Sequence, residues 1–186
     1  MPGKIVIFVA LGCLVAGGLS LQARGQEEAY TASVRTSGDT GGKLVQVNFT
    51  ITKWSGQDEI QRLGKILKDQ GQDALVEELK KLDAGRIRQP TETGNQIAVA
   101  EKWQDGDKTV ITMISARRMS MFETQSRGVS TQYPLGFMQV TLDSKGEGSG
   151  KLVAAAKVKY DKKGDTFRLE PYGNGASPVS GVRPLK

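Results

Sequence analysis

One helical stretch, Ser55 to Gly85, stands in a chain whose other segments alternate in hydropathy like strands, and any fold has to accommodate both. From Ile60 the apolar residues fall at Leu63, Ile66 and Leu67, then at Leu75, Val76, Leu79 and Leu82. That spacing collects side chains on one face of a helix. Ser55-Gly56-Gln57-Asp58 fits a capping box with Asp in place of Glu, so Ser55 is the expected N-cap. Gly71 interrupts the pattern and Gly85 follows its end, each able to take the left-handed conformation at which helices stop. The expectation is a helical hairpin over residues 56–84, with one apolar side to be buried against whatever the strands build.

The clearest strand is Val45 to Thr52, where Val45, Val47, Phe49 and Ile51 alternate with Gln46, Asn48, Thr50 and Thr52 to give one buried and one wet face. A segment from Tyr30 precedes it across the turn formers Ser37 to Gly42. Gln96–Trp103 and Lys108–Ala116 flank Asp105-Gly106, a favoured two-residue turn, so these two should pair antiparallel. Arg86–Arg88, Phe137–Leu142, Lys151–Tyr160 and Thr166–Tyr172 are further strands, and the tail from Gly173 reads as loop with a last strand near Val179–Val182. Residues 117–134 form the longest connection, with one helical turn near Phe122. Residues 26–186 are therefore expected to form a single α+β domain, mainly β. Its antiparallel sheet would have about eight strands, curled or closed into a barrel, with the helical hairpin inserted, because such short turns do not allow parallel crossovers.

The chain opens with Lys4 and runs apolar from Ile5 to Ala16 before Gly17-Gly18, and Ala23-Arg24-Gly25 places small residues at cleavage-site positions. This is the anatomy of a signal peptide over residues 1–25, cleaved near Gly25. The apolar run is shorter than the ~20 residues of a membrane-spanning helix, and an uncleaved anchor is the alternative. The mature chain would then be extracytoplasmic, periplasmic or secreted, with no transmembrane segment. Cleavage removes Cys13, the only cysteine, and the chain has no histidine. Such a domain has to be held by its core rather than by disulfides. It also lacks the commonest general base, the commonest metal ligand and the thiolate nucleophile. No catalytic residue, metal ligand or cofactor is assigned.

Gly146-Glu147-Gly148-Ser149-Gly150-Lys151 invites a phosphate-loop reading, but Lys145 stands at the motif's first glycine and Leu152 where Ser or Thr belongs. A strand also follows where a helix N-terminus is needed. Taken as a calcium loop from Asp143, the stretch lacks ligands at Lys145 and Ala154, and a hairpin loop fits better. No Ser-x-x-Lys occurs. Two carboxylates alone suffice for glycosidase-type hydrolysis. Asp105, Asp107, Asp143, Glu147, Asp161 and Asp165 fall in expected turns, and Glu101, beside an apolar strand pattern, is the acid expected to be buried. Asn48-Phe49-Thr50 matches the glycosylation acceptor pattern, which we take as a chance match.

Lys151, Lys157, Lys159, Lys162 and Lys163 are the densest positive group, and on one strand the first three would share a wet face. Such a stripe suits an anionic envelope surface, lipid headgroups or polysaccharide, and equally a sheet face kept soluble by lysine. No aromatics are interleaved among these charges, which argues against nucleic acid. Trp54 and Trp103 end strands, and Phe122 and Tyr133 lie in the long connection. On a shared rim these four would line the mouth of a cavity for a small apolar or amphipathic ligand; otherwise they seal the end of a core.

Three features together resemble a group of small uncharacterised exported bacterial proteins, over nearly the whole mature chain. They are Trp54-Ser55 leading into Gln61-Arg62-Leu63, the Gly146–Lys151 loop, and the ending Val179-Ser180-Gly181-Val182-Arg183-Pro184-Leu185-Lys186. The resemblance implies no activity, cofactor or site residue. The functional expectation is a non-catalytic exported binding or surface-interaction domain. A carboxylate-dependent hydrolase and an envelope-associated structural protein using a basic face are the alternatives.

Overall fold

A computed structural model describes residues 27–36, 42–119, 133–170 and 176–185. The leader expected at residues 1–25 and the candidate Phe122 lie outside the described residues. The alternating segments pair as antiparallel neighbours. Strand β1 (Glu28–Arg35) pairs with β2 (Leu44–Ile51), β2 with β3 (Gly85–Arg88), and β3 with β4 (Asn95–Ile97). A second run, β5 (Val99–Asp105), β6 (Lys108–Ser115), β7 (Leu135–Leu142) and β8 (Gly148–Ala156), forms a meander. The last strand, β11 (Ala176–Pro184), lies between β8 and β1 and joins the two runs into one nine-stranded sheet. The remaining strands, β9 (Val158–Asp161) and β10 (Thr166–Leu169), form a hairpin of their own.

The nine strands curl into a nearly closed barrel because one extended segment serves both ends of the sheet. Ala84 N–H bonds the Ile97 carbonyl at 2.8 Å, whereas Ala98 N–H bonds that of Ile114 at 2.8 Å, so the chain changes partner at Ala98. Ser55 closes the seam further: its N–H donates to the Ala100 carbonyl at 2.8 Å and its Oγ accepts from Ala100 N–H at 3.3 Å. Each strand of the barrel sends apolar side chains inward, among them Val34, Phe49, Ile87, Ile111, Val140 and Leu152, all 0–1 % exposed. The interior is therefore a packed core.

Three sequence expectations are corrected by this geometry. The expected segment Gln96–Trp103 is two strands, divided at Ala98 by the partner change. Lys151–Tyr160 is also two strands, divided at Lys157, where the chain leaves the barrel for the separate hairpin. The last strand, expected only near Val179–Val182, runs from Ala176 to Pro184 in the interior of the sheet. Val179 and Val182 are both buried although three residues apart, which a flat strand cannot achieve. A register shift between them, with Gly181 at φ 60°, inserts the extra residue that turns both inward.

The expected hairpin of two helices joined by a turn is not formed. A single helix, α1 (Gln57–Leu79), connects β2 to β3 and is sharply kinked at Gly71, whose φ of 86° and ψ of −173° are the only non-helical angles inside it. Arg62 and Glu78 form an ion pair at 2.9 Å, whereas an unbroken helix would hold them ~24 Å apart. The kink thus folds the element back on itself without a loop. The N-cap is Gly56 with no side-chain cap, because Ser55 is engaged with Ala100. The helix stops at Leu79, and Gly85 begins β3 instead, where a Cβ would stand 2.0 Å from the Thr50 carbonyl oxygen. The apolar face of α1 (Ile60, Leu63, Leu75, Leu79) packs outside the barrel on Val99, Ile114, Leu135 and Phe137, with Val158 and Phe167 of the β9–β10 hairpin completing this second core.

Candidate functional site

The β9–β10 hairpin, the kink of α1 and the outer wall of the barrel meet at one place. Tyr160 of β9 lies flat against the helix at Gly64, where a Cβ would come within 2.5 Å of the ring. The glycine makes that approach possible. The Tyr160 hydroxyl donates to Asp165 in the hairpin turn, and Gln61 Nε2 donates to the same carboxylate at 2.6 Å. Gln57 Nε2 reaches the Asp165 carbonyl at 2.9 Å. Hydrogen bonds from Tyr160 and Gln61 hold the Asp165 carboxyl below its ordinary range, and the same contact pushes the Tyr160 hydroxyl up to about 12.

Glu101 lies beneath this hairpin on the outer face of β5. It is buried, with Thr166 Oγ1 donating to Oε2 at 2.8 Å. Burial pushes its carboxyl up; the hydrogen bonds from Thr166 and from the Phe167 backbone N–H oppose this, and the nearby Asp165 charge adds to the rise. The expectation that Glu101 is the buried acid agrees with its position.

Between the kink and β9 opens a cleft of ≈ 500 Å³. Its apolar wall is Leu67, Val158 and Tyr160, and among the described residues its charged rim is Lys68, Lys157, Lys159 and Lys162 against the carboxylate of Glu170. Lys159 reaches Glu170 at 3.2 Å, and Lys157 Nζ stands 5.0 Å above the ring of Tyr133. Lys68 and Lys162 make no ion pair with a described residue. Gln72, one turn beyond Lys68 across the kink, also lines the cleft, and its amide Nε2 is buried without a hydrogen-bond acceptor among the described residues. Positive charge, an unsatisfied N–H donor and an apolar wall together suit a ligand with an anionic group and an apolar body.

Of the five lysines singled out in the sequence, Lys157, Lys159 and Lys162 line this cleft. Lys151 remains on β8 beside Gln139, and Lys163 lies exposed in the hairpin turn, so the expected continuous stripe is broken at Lys157. Trp54 packs on the barrel core beside Lys102, whose Nζ is 5.1 Å from its ring centroid, and Lys102 also pairs with Glu28 at 2.8 Å. Nearby, Tyr30 stacks on Phe49 and donates to Glu28 at 2.7 Å, so this group seals one end of the core. Trp103 follows Lys102 on β5 and so faces the opposite side of the sheet from the group around Trp54. The two tryptophans thus lie on opposite faces of the sheet, and Tyr133 stands with Lys157.

Lys68 and Gln72 were not evident as site residues. Their signal is a four-residue spacing that straddles the glycine at which the helical pattern breaks. Among the described residues no cluster of three or more His, Cys, Asp or Glu is arranged to hold a metal, and no helix is long and apolar enough to cross a membrane. No family model, curated protein or solved structure matches the chain.

Proposed function

We propose that this is a non-catalytic binding domain, exported with residues 1–25 removed near Gly25, that takes a small amphipathic anion in the cleft between the α1 kink and β9. The observation that carries the reading is the convergence of four lysines and the unsatisfied Gln72 amide on a cleft with an apolar wall. The anionic group would meet Lys68, Lys162 and Gln72, and the apolar body would lie along Leu67, Val158 and Tyr160. A single exposed lysine contributes modestly, about two- to fivefold in affinity, so specificity comes from the group acting together.

A carboxylate-dependent hydrolase receives less support. Glu101 and Asp165 have oppositely displaced acidities, as an acid and a base require. The Glu101 carboxylate is nevertheless covered by Thr166 and lies away from the cleft lining. An envelope protein held by a continuous basic face is disfavoured by the break at Lys157.

The test is isothermal titration calorimetry with octanesulfonate, octanol and octyltrimethylammonium as probes. We expect saturable binding of the sulfonate, weakened by salt and by Lys68→Gln/Lys162→Gln, with the alcohol weaker and the cation not bound. Equal affinity for sulfonate and alcohol, unmoved by the lysine substitutions, would overturn the reading.

A further inference from the structure

The β9–β10 hairpin supplies one wall of the cleft and belongs to a different sheet from the barrel. It rests on the outer face of the barrel through Val158 and Phe167. Its turn is held from two sides: Gln57 and Gln61 of α1 donate to Asp165 from outside, and Thr166 donates to Glu101 beneath. The groups that face Glu101 can be followed element by element. The hairpin presents the Asp165 carboxylate, the Tyr160 phenol, the Thr166 hydroxyl and the Phe167 N–H. Helix α1 presents Gln57 and Gln61 to that hairpin turn, both uncharged. Strand β6 places the uncharged Thr112 directly opposite in the ladder, and the neighbouring Lys102 on β5 is turned to the other face, paired with Glu28. Glu101 is thus a covered carboxyl at the hairpin's seat, and among the described residues the charge acting on it is the like charge of Asp165.

We propose that the β9–β10 hairpin is a proton-linked flap over the cleft, clamped to the barrel when Glu101 is protonated and loosened when it ionises. The proposal rests on the cleft being the ligand site, since loosening the hairpin displaces Lys159, Lys162 and Tyr160 from it. The sign follows from linkage. Docking raises the Glu101 carboxyl above its ordinary value of 4.5, so the docked state binds more protons, and docking weakens as pH rises from that value through the raised one. Asp165 acts in the opposite sense. Its hydrogen bonds from Tyr160 and Gln61 favour docking above 3.8 and are lost in stronger acid, so the flap is tightest in mild acid.

Hydrogen exchange on the full mature chain tests this, at about pH 5 and about pH 8, with rates corrected for intrinsic exchange. In the wild type, protection of the amides in residues 158–169 should fall by roughly threefold or more at the higher pH. Glu101→Gln, which mimics the protonated acid in shape, should abolish that fall. Thr166→Val, which removes a donor to the ionised carboxylate, should enlarge it. Amides of β6 and β7 should be unchanged in every variant and so report an intact barrel. An equal fall in wild type and Glu101→Gln, or no fall in the wild type, would overturn the proposal. Octanesulfonate, anionic at both pH values, separates this result from the binding reading. A proton-linked flap without sulfonate binding would sink the binding reading alone, whereas sulfonate binding with a hairpin indifferent to Glu101 would sink the flap alone.

Discussion

Replacing Gly64 by alanine sets two effects of known sign against each other. In a regular helix interior, alanine is favoured over glycine by ~1 kcal/mol. Here the added Cβ would stand 2.5, 2.6 and 2.7 Å from Cδ2, Cγ and Cε2 of Tyr160, and the ring has to retreat by about 1 Å to restore van der Waals contact. Overpacking of that kind costs ~1–3 kcal/mol. The helix gain offsets part of it, so Gly64→Ala should destabilise the protein by about 0–2 kcal/mol. In a Tyr160→Ala background the obstacle is gone, and the same substitution should stabilise by ~1 kcal/mol. Urea denaturation of the four proteins, read as midpoint shifts at constant slope, closes the double-mutant cycle. If Gly64→Ala stabilises the wild type by the same amount as the Tyr160→Ala variant, the packing of Tyr160 on the helix backbone is refuted.

Gly71→Ala meets no neighbour within 4 Å, so its expected loss of ~1–3 kcal/mol is pure backbone strain and should persist when Tyr160 is alanine, measured by the same denaturation. Phe167→Ala should cost ~3–5 kcal/mol in thermal unfolding, since the ring is 0 % exposed between α1 and the barrel. Ser55→Ala removes the oxygen that accepts Ala100 N–H at the barrel seam and should cost ~1 kcal/mol by chemical denaturation, with the β5 amides exchanging faster.

The parts of the fold legible in the sequence are those where side-chain period alone decides. Val45 to Thr52 alternates cleanly and forms β2, and the Asp105-Gly106 turn joins β5 to β6. The helical period also holds, since Ile60, Leu63, Leu75 and Leu79 share a buried face. Where a partner changes, local pattern is silent. Nothing in Gln96–Trp103 marks Ala98 as the residue at which one strand serves both ends of a barrel, because the switch is set by neighbours distant in sequence. Val179 and Val182 look out of phase until a bulge at Gly181 brings both inward. Gly71 was visible as an interruption, yet glycine at a break permits a kink as readily as a turn. Among the site residues, Lys157, Lys159 and Lys162 were visible as charge density, but Lys68 and Gln72 join them only through the kink. The buried Glu101 was legible from the apolar residues around it in sequence, and its partner Thr166, 65 residues away, was not.

The central claim is that the cleft between the α1 kink and β9 holds an amphipathic anion. Backbone chemical-shift mapping of the isotopically labelled protein during titration with octanesulfonate tests it most directly. The account predicts saturable shifts centred on Leu67, Lys68, Gln72, Val158, Tyr160 and Lys162, with the amides around Trp54 and Trp103 unmoved. Saturable shifts centred elsewhere, or none at all, would contradict it.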